Sequence, residues 1–159
     1  MRWNLSKRGR TLVLVTFLSL TCVAKAADLS WNKIRYQAGT IAARVNPFDW
    51  NTTLKVLPTG IEMVFEGRKR VTIESHNITA LSCGDAAYRR VNDLLVNTSS
   101  KPVPLFGILR NSKDHLIGIE FRDEHGIKGA VLLMVQKDSY NDLLRSLSSL
   151  TGQTVIGNS

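Results

Sequence analysis

Cysteine is almost absent from this chain: Cys22 and Cys83 are the only two in 159 residues. Cys22 lies in an apolar run near the start, so removal of that run leaves one cysteine and excludes an internal disulfide. Exported domains with weak cores usually lean on disulfides, so this one must rely on buried apolar side chains. Cys83, after Ile78 and Leu81 and before Gly84, reads as a buried small hydrophobe at a strand end, with a redox thiol or an intermolecular bridge as the alternatives. Long hydrophobic stretches are lacking too. Thr11–Val23, at 13 residues, falls short of the roughly 20 that a spanning helix needs. Motifs of nucleotide and hydrolase chemistry are missing: there is no P-loop, G-x-G-x-x-G or G-x-S-x-G. His76, His115 and His125 form no H-E-x-x-H or other close metal-ligand spacing. Internal repeats and long low-complexity tracts are absent.

What is present begins with a leader. Arg2, Lys7, Arg8 and Arg10 precede the apolar run Thr11–Val23, and Ala24-Lys25-Ala26 supplies small residues before Ala27-Asp28. A basic start, a short apolar middle and an A-x-A end make a secretory signal peptide over 1–26. The rival readings are a retained anchor and a lipoprotein. The second fits badly, because Ser19 and Thr21 stand where a lipobox wants Leu and a small residue before Cys22. Cleavage leaves one ordinary domain, expected as a linker over 27–32, a body over 33–155 and a tail over 156–159.

The leader also distorts the charge. The whole chain carries 21 Lys and Arg against 13 Asp and Glu, a net +8. Five of those bases and none of the acids lie in the leader, leaving 16 against 13. A body near +3 gives no reason to expect nucleic acid as a partner. Three N-x-S/T triplets, at Asn51, Asn77 and Asn97, would matter in a eukaryotic secretory pathway. The leader suits a bacterial envelope, so the expected location is periplasmic or extracellular.

The body reads as short strands followed by one helix. Ile34–Arg44 opens it, with a break at Gly39-Thr40, and Asn46-Pro47-Phe48-Asp49 is a turn. Thr52–Leu57 alternates, Pro58-Thr59-Gly60 turns, and Ile61, Met63 and Phe65 share a face at period two. Gly67-Arg68-Lys69-Arg70 is a basic hairpin tip, after which Val71–Ser75 pairs back and Ile78–Cys83 continues the sheet. Asp85–Val96 is ambiguous, with helical propensity in Ala86, Ala87, Leu94 and Leu95. Asn97–Pro104 is loop-like, Leu105–Leu109 a strand, and Asn111–Asp114 its turn. His115–Arg122 and Gly129–Gln136 form the clearest hairpin around Asp123-Glu124-His125-Gly126; the return strand is apolar throughout, as burial on both faces requires. Asp138 is placed to cap a helix over 138–151 with Tyr140, Leu143, Leu144, Leu147 and Leu150 in one stripe, stopped by Gly152.

This order of elements resembles a pleckstrin-homology-like domain of bacterial secreted proteins. The resemblance lies in Gly39-Thr40, the Ile61–Phe65/Val71–Ile73 hairpin, Ile78–Leu81 and the run from His115 to Gly152. It implies a mainly β fold with a C-terminal helix, a partly open barrel of two bent antiparallel sheets capped by that helix. It also implies a strand near Tyr88–Asn92. Phosphoinositide-binding members pair Lys and Arg in the first hairpin, whereas Lys33, Arg35, Arg44 and Lys55 here form no tight cluster.

No catalytic residue, metal or cofactor is expected. The candidate contact residues for a ligand or membrane are Arg68, Lys69 and Arg70, with Arg89-Arg90 as a possible extension, and the aromatics Phe48 and Trp50. The tip reads also as a solvated hairpin end, and the aromatics as a cap folded over the barrel mouth. The functional expectation is an exported, non-enzymatic binding or scaffolding module that recognises a protein, peptide or anionic lipid surface. A self-associating envelope component and an enzyme built on His76, Cys83 and carboxylates are the alternatives; the oligomeric state is open.

Overall fold

The computed structural model describes residues 28–43, 45–46, 48–98 and 115–157. The leader, the strand expected at Leu105–Leu109, its turn at Asn111–Asp114 and the last two residues lie outside the described residues.

A long first strand joins two sheets. β1 (Leu29–Gly39) pairs antiparallel through its first half with β2 (Thr52–Leu57), Trp31 opposite Leu54. Its second half pairs antiparallel with β7 (Lys128–Met134), Tyr36 opposite Leu133. The register shifts between Trp31 and Ile34, where Lys33 takes a φ of 60°, and a strand bulged in this way bends. β1 begins at Leu29, inside the stretch expected as a linker. Its polar Asn32-Lys33 lies in the bulge and hides the strand from a period-two reading.

From β1 one sheet runs outward through β2, β3 (Gly60–Val64) and β4 (Arg70–Glu74). The other runs through β7, β6 (Leu116–Arg122), β5 (Ile78–Cys83) and the two-residue β8 (Val155–Ile156). Among the described residues every pairing is antiparallel except β5 with β8. The end strands β4 and β8 do not meet among the described residues, so the sheet they form is not closed. The layout is the mainly β, partly open, two-sheet form expected of a pleckstrin-homology-like domain.

Alternation seats the core. Leu54 and Val56 from β2, Ile61 and Met63 from β3, and Ile73 from β4 face Leu81, Ile117, Ile119 and Leu133 of the second sheet. α2 (Lys137–Thr151) lies against both sheets and closes the open end with Tyr140, Leu143, Leu144 and Leu147, while Leu150 is half-buried. Gly152 ends it in the left-handed region at φ 66°, where a side chain would be strained, and its N–H donates to the Ser148 carbonyl at 2.9 Å. The expected cap is corrected. Gln136 holds the N-cap position without a side-chain bond, and Asp138 sits in the first turn, where its charge still favours the positive end of the helix.

A second helix corrects the strand expected near Tyr88–Asn92. α1 (Gly84–Asn97) runs across the outer face of the second sheet. Ala87, Val91 and Leu95, spaced by four, pack on Ala38, Ala130, Leu132 and Met134. The small Ala38 and Ala130 let the helix approach. β7 is thus covered on both sides, Val131 and Leu133 inward and Ala130, Leu132 and Met134 outward, which accounts for its unbroken apolar run.

Candidate functional site

Two of the sequence candidates come together at one end of the first sheet. Between β3 and β4 the chain makes a 3-10 turn, Glu66–Arg68, with Gly67 and Arg68 at φ 77° and 65°. Phe65 N–H donates to the Lys69 carbonyl at 2.9 Å, and Arg68 N–H to the Phe65 carbonyl at 3.1 Å. Arg68, Lys69 and Arg70 are all exposed. Two bonds tie this tip to the segment between β1 and β2: Lys69 Nζ donates to the Ala42 carbonyl, and Asn51 Nδ2 donates to Glu66 Oε2 at 2.6 Å. The tied segment carries Phe48, 60% exposed, on a turn in which Asn46 Oδ1 accepts the Phe48 N–H at 3.1 Å.

Trp50 parts from Phe48. It is half-buried against the outer core with α1, and the Arg35 guanidinium lies 4.2 Å from its ring centroid. The aromatics therefore do not fold together over the barrel mouth: Phe48 faces solvent, and Trp50 packs on the outside of the second sheet. Arg89 and Arg90 do not extend the basic tip. They lie on α1, against the other sheet, and Arg90 Nε donates to Glu120 Oε1 at 2.5 Å.

The edge next to the tip has a defined pattern of backbone groups. Thr59 accepts the Ser75 N–H, and Lys69 accepts the Phe65 N–H, so pairs 59–75 and 65–69 bracket the β3–β4 ladder. Bonded and non-bonded pairs alternate in an antiparallel ladder. Val71 opposite Met63 and Ile73 opposite Ile61 are therefore bonded to β3. Arg70, Thr72 and Glu74 turn their N–H and C=O groups outward. Among the described residues no strand takes them up. Beside this edge, β4 and the β6–β7 turn flank a groove of about 470 Å³ with Ile73 and Phe121 in its lining and Glu74, Asp123 and His125 at its polar parts.

The side chains invoked for catalysis are not assembled. His76 precedes β5 and Cys83 ends it. The intervening six-residue strand sets them on the order of 20 Å apart. Cys83 is a buried free thiol, as expected at a strand end. His76 sits 3.2 Å from Glu74 on the surface, His125 lies exposed in the β6–β7 turn, and the His115 ring stands edge-on to Tyr140 at 5.5 Å. Among the described residues no group of three His, Cys, Asp or Glu side chains converges to hold a metal. Glu62, one strand in from the edge, has its carboxyl lowered from the ordinary value. The cause is chiefly the hydrogen bond from Lys55, opposed by desolvation and reinforced by the charges of Lys55 and Arg70. Burial pushes the Tyr36 phenol up, though its bond to the Ile41 carbonyl pulls the other way.

Comparison with known proteins adds little. No family model matches the chain, and no curated protein matches it. One solved structure, described as the structure of the Spt16D Pob3N heterodimer, is similar to it with a TM-score of 0.47 and 11% sequence identity. The match covers 83% of this chain and 54% of that one, so this chain spans about half the length of its solved counterpart.

Proposed function

We propose that the protein is an exported, non-enzymatic binding module of a bacterial envelope, and that its Phe48 loop and Arg68–Arg70 tip form one end that meets an anionic surface. The observation that carries this reading is the tie between loop and tip through Lys69 with Ala42 and Asn51 with Glu66. It joins the loop that carries an exposed aromatic ring to the tip that carries three exposed bases. The leader over 1–26 supports export, to the periplasm or beyond. The separation of Cys83 from His76 supports action by contact.

The magnitude fits a reversible, peripheral contact. Each base near an anionic surface contributes about 1 kcal/mol. Partial burial of Phe48 adds about 1–2 kcal/mol. Together these give about 4–5 kcal/mol, a dissociation constant near 1 mM. A second contact or many copies would be needed for firm attachment.

Co-sedimentation of the mature chain with phosphatidylglycerol vesicles tests this directly. Binding should weaken with salt, fall with Arg68→Glu or Phe48→Ala, and be weak on phosphatidylcholine. Equal binding by these variants would remove the proposed end from the account. Mass spectrometry of the exported chain should find Ala27 at its N-terminus; secreted material still beginning at Met1 would contradict the cleavage.

A further inference from the structure

β4 reads Arg70-Val71-Thr72-Ile73-Glu74. Reversed and laid beside itself, it sets Arg70 opposite Glu74, Val71 opposite Ile73, and Thr72 opposite Thr72. We infer that the β4 edge pairs antiparallel with β4 of a second copy, with Thr72 on the two-fold axis. This goes beyond the anionic contact proposed above and does not depend on it.

Two observations on the strand agree on that register. The residues with outward backbone groups are Arg70, Thr72 and Glu74, and this register makes all of them bonded pairs, giving about six backbone hydrogen bonds. A shift of one residue would oppose outward groups with groups already bonded to β3. Directly opposed residues of an antiparallel pair share a face, so each Arg70 guanidinium meets a Glu74 carboxylate of the other copy. The groups those two side chains now touch compete weakly. Arg70 Nη1 is 3.9 Å from Glu62, and the Glu74–His76 contact is solvent-exposed at both ends. Charged residues on an edge ordinarily discourage pairing with arbitrary strands. Here the opposite signs at the two ends exclude many strands yet match the strand's own reverse.

The interface is narrow. Five residues of strand span about 17 Å. An interface that short falls below the roughly 1,200 Å² of a standard stable complex, so the dimer should be concentration-dependent. Antiparallel pairing also places the two Arg68 tips at opposite ends of the shared strand pair.

Sedimentation velocity of the exported chain across a micromolar-to-millimolar range, at low salt, provides the test. The wild type should pass from monomer to dimer. Arg70→Glu and Glu74→Arg each set like charges opposite one another at two symmetric positions, and each should raise the dissociation constant roughly tenfold. The double variant R70E/E74R exchanges the signs and should restore the dimer. Thr72→Pro removes the central outward N–H without touching a bond to β3, and should abolish dimerisation with an unchanged circular dichroism spectrum. Amide exchange at Arg70, Thr72 and Glu74 should slow as concentration rises. A chain monomeric throughout, a dimer indifferent to the single charge changes, or a double variant no better than the singles would each overturn the inference. Because the double variant keeps both side-chain types on the strand, it remains informative even where Thr72→Pro misfolds.

Discussion

Leu147→Ala is expected to cost about 3 kcal/mol, because it hollows the point where α2 meets the core. Leu147 is fully buried, on the same helix face as Leu143 and Leu144 and in one cluster with residues of both sheets. Leucine-to-alanine changes at such sites lose the transfer energy of the removed carbons and leave a cavity that its surroundings fill only in part. A domain of this size holds about 5–15 kcal/mol in all. A loss of about 3 kcal/mol should lower the melting temperature by roughly 10 °C. Urea unfolding followed by circular dichroism measures the loss, with the slope against denaturant unchanged. Leu150→Ala, at a half-buried position, should cost about half as much. If Leu147→Ala came within about 0.5 kcal/mol of the wild type, the helix would not be seated between the sheets and the core would need redrawing.

Three further outcomes follow from the same geometry. Gly60→Ala should destabilise by about 2–3 kcal/mol, since its Cβ would meet the Ile73 carbonyl and the Glu74 backbone; a neutral result in thermal melts would argue against so close a β3–β4 approach. Glu62 is lowered in the folded chain relative to its ordinary 4.5. Its contribution is therefore present above that value and lost as pH falls through the folded one, and Lys55→Met should flatten this part of the acid limb of stability against pH. Cys83 should react with a thiol reagent only at the rate of opening or unfolding, so rapid labelling of the native chain would contradict its burial.

Much of the fold was legible because alternation and burial coincide. Ile61, Met63 and Phe65 alternate in the chain and are buried together, and the stripe from Tyr140 to Leu147 marks its helix without help from neighbours. Three features resisted. The stripe Ala87–Val91–Leu95 does signal α1, but it begins right after a strand, and the family resemblance pointed to another strand. β8 has two residues and pairs in parallel with β5 through Leu81 with Val155 and Ser82 with Ile156, too short for any period. The start of β1 is masked by its polar bulge. For the site, the bases of the tip could be read from the chain. Their tie to the Phe48 loop could not, because Lys69 and Ala42 stand 27 residues apart and meet only through the fold. The outward set Arg70, Thr72 and Glu74 likewise needed the ladder's register, since alternation alone does not say which residues bond to β3.

Amide-exchange footprinting of the mature chain on phosphatidylglycerol vesicles tests the contact reading most directly. Protection confined to the Phe48 loop and residues 66–70, reversed by salt and lost with Arg68→Glu, is the expected result. Protection spread along α1 or α2 with that end unchanged would contradict it.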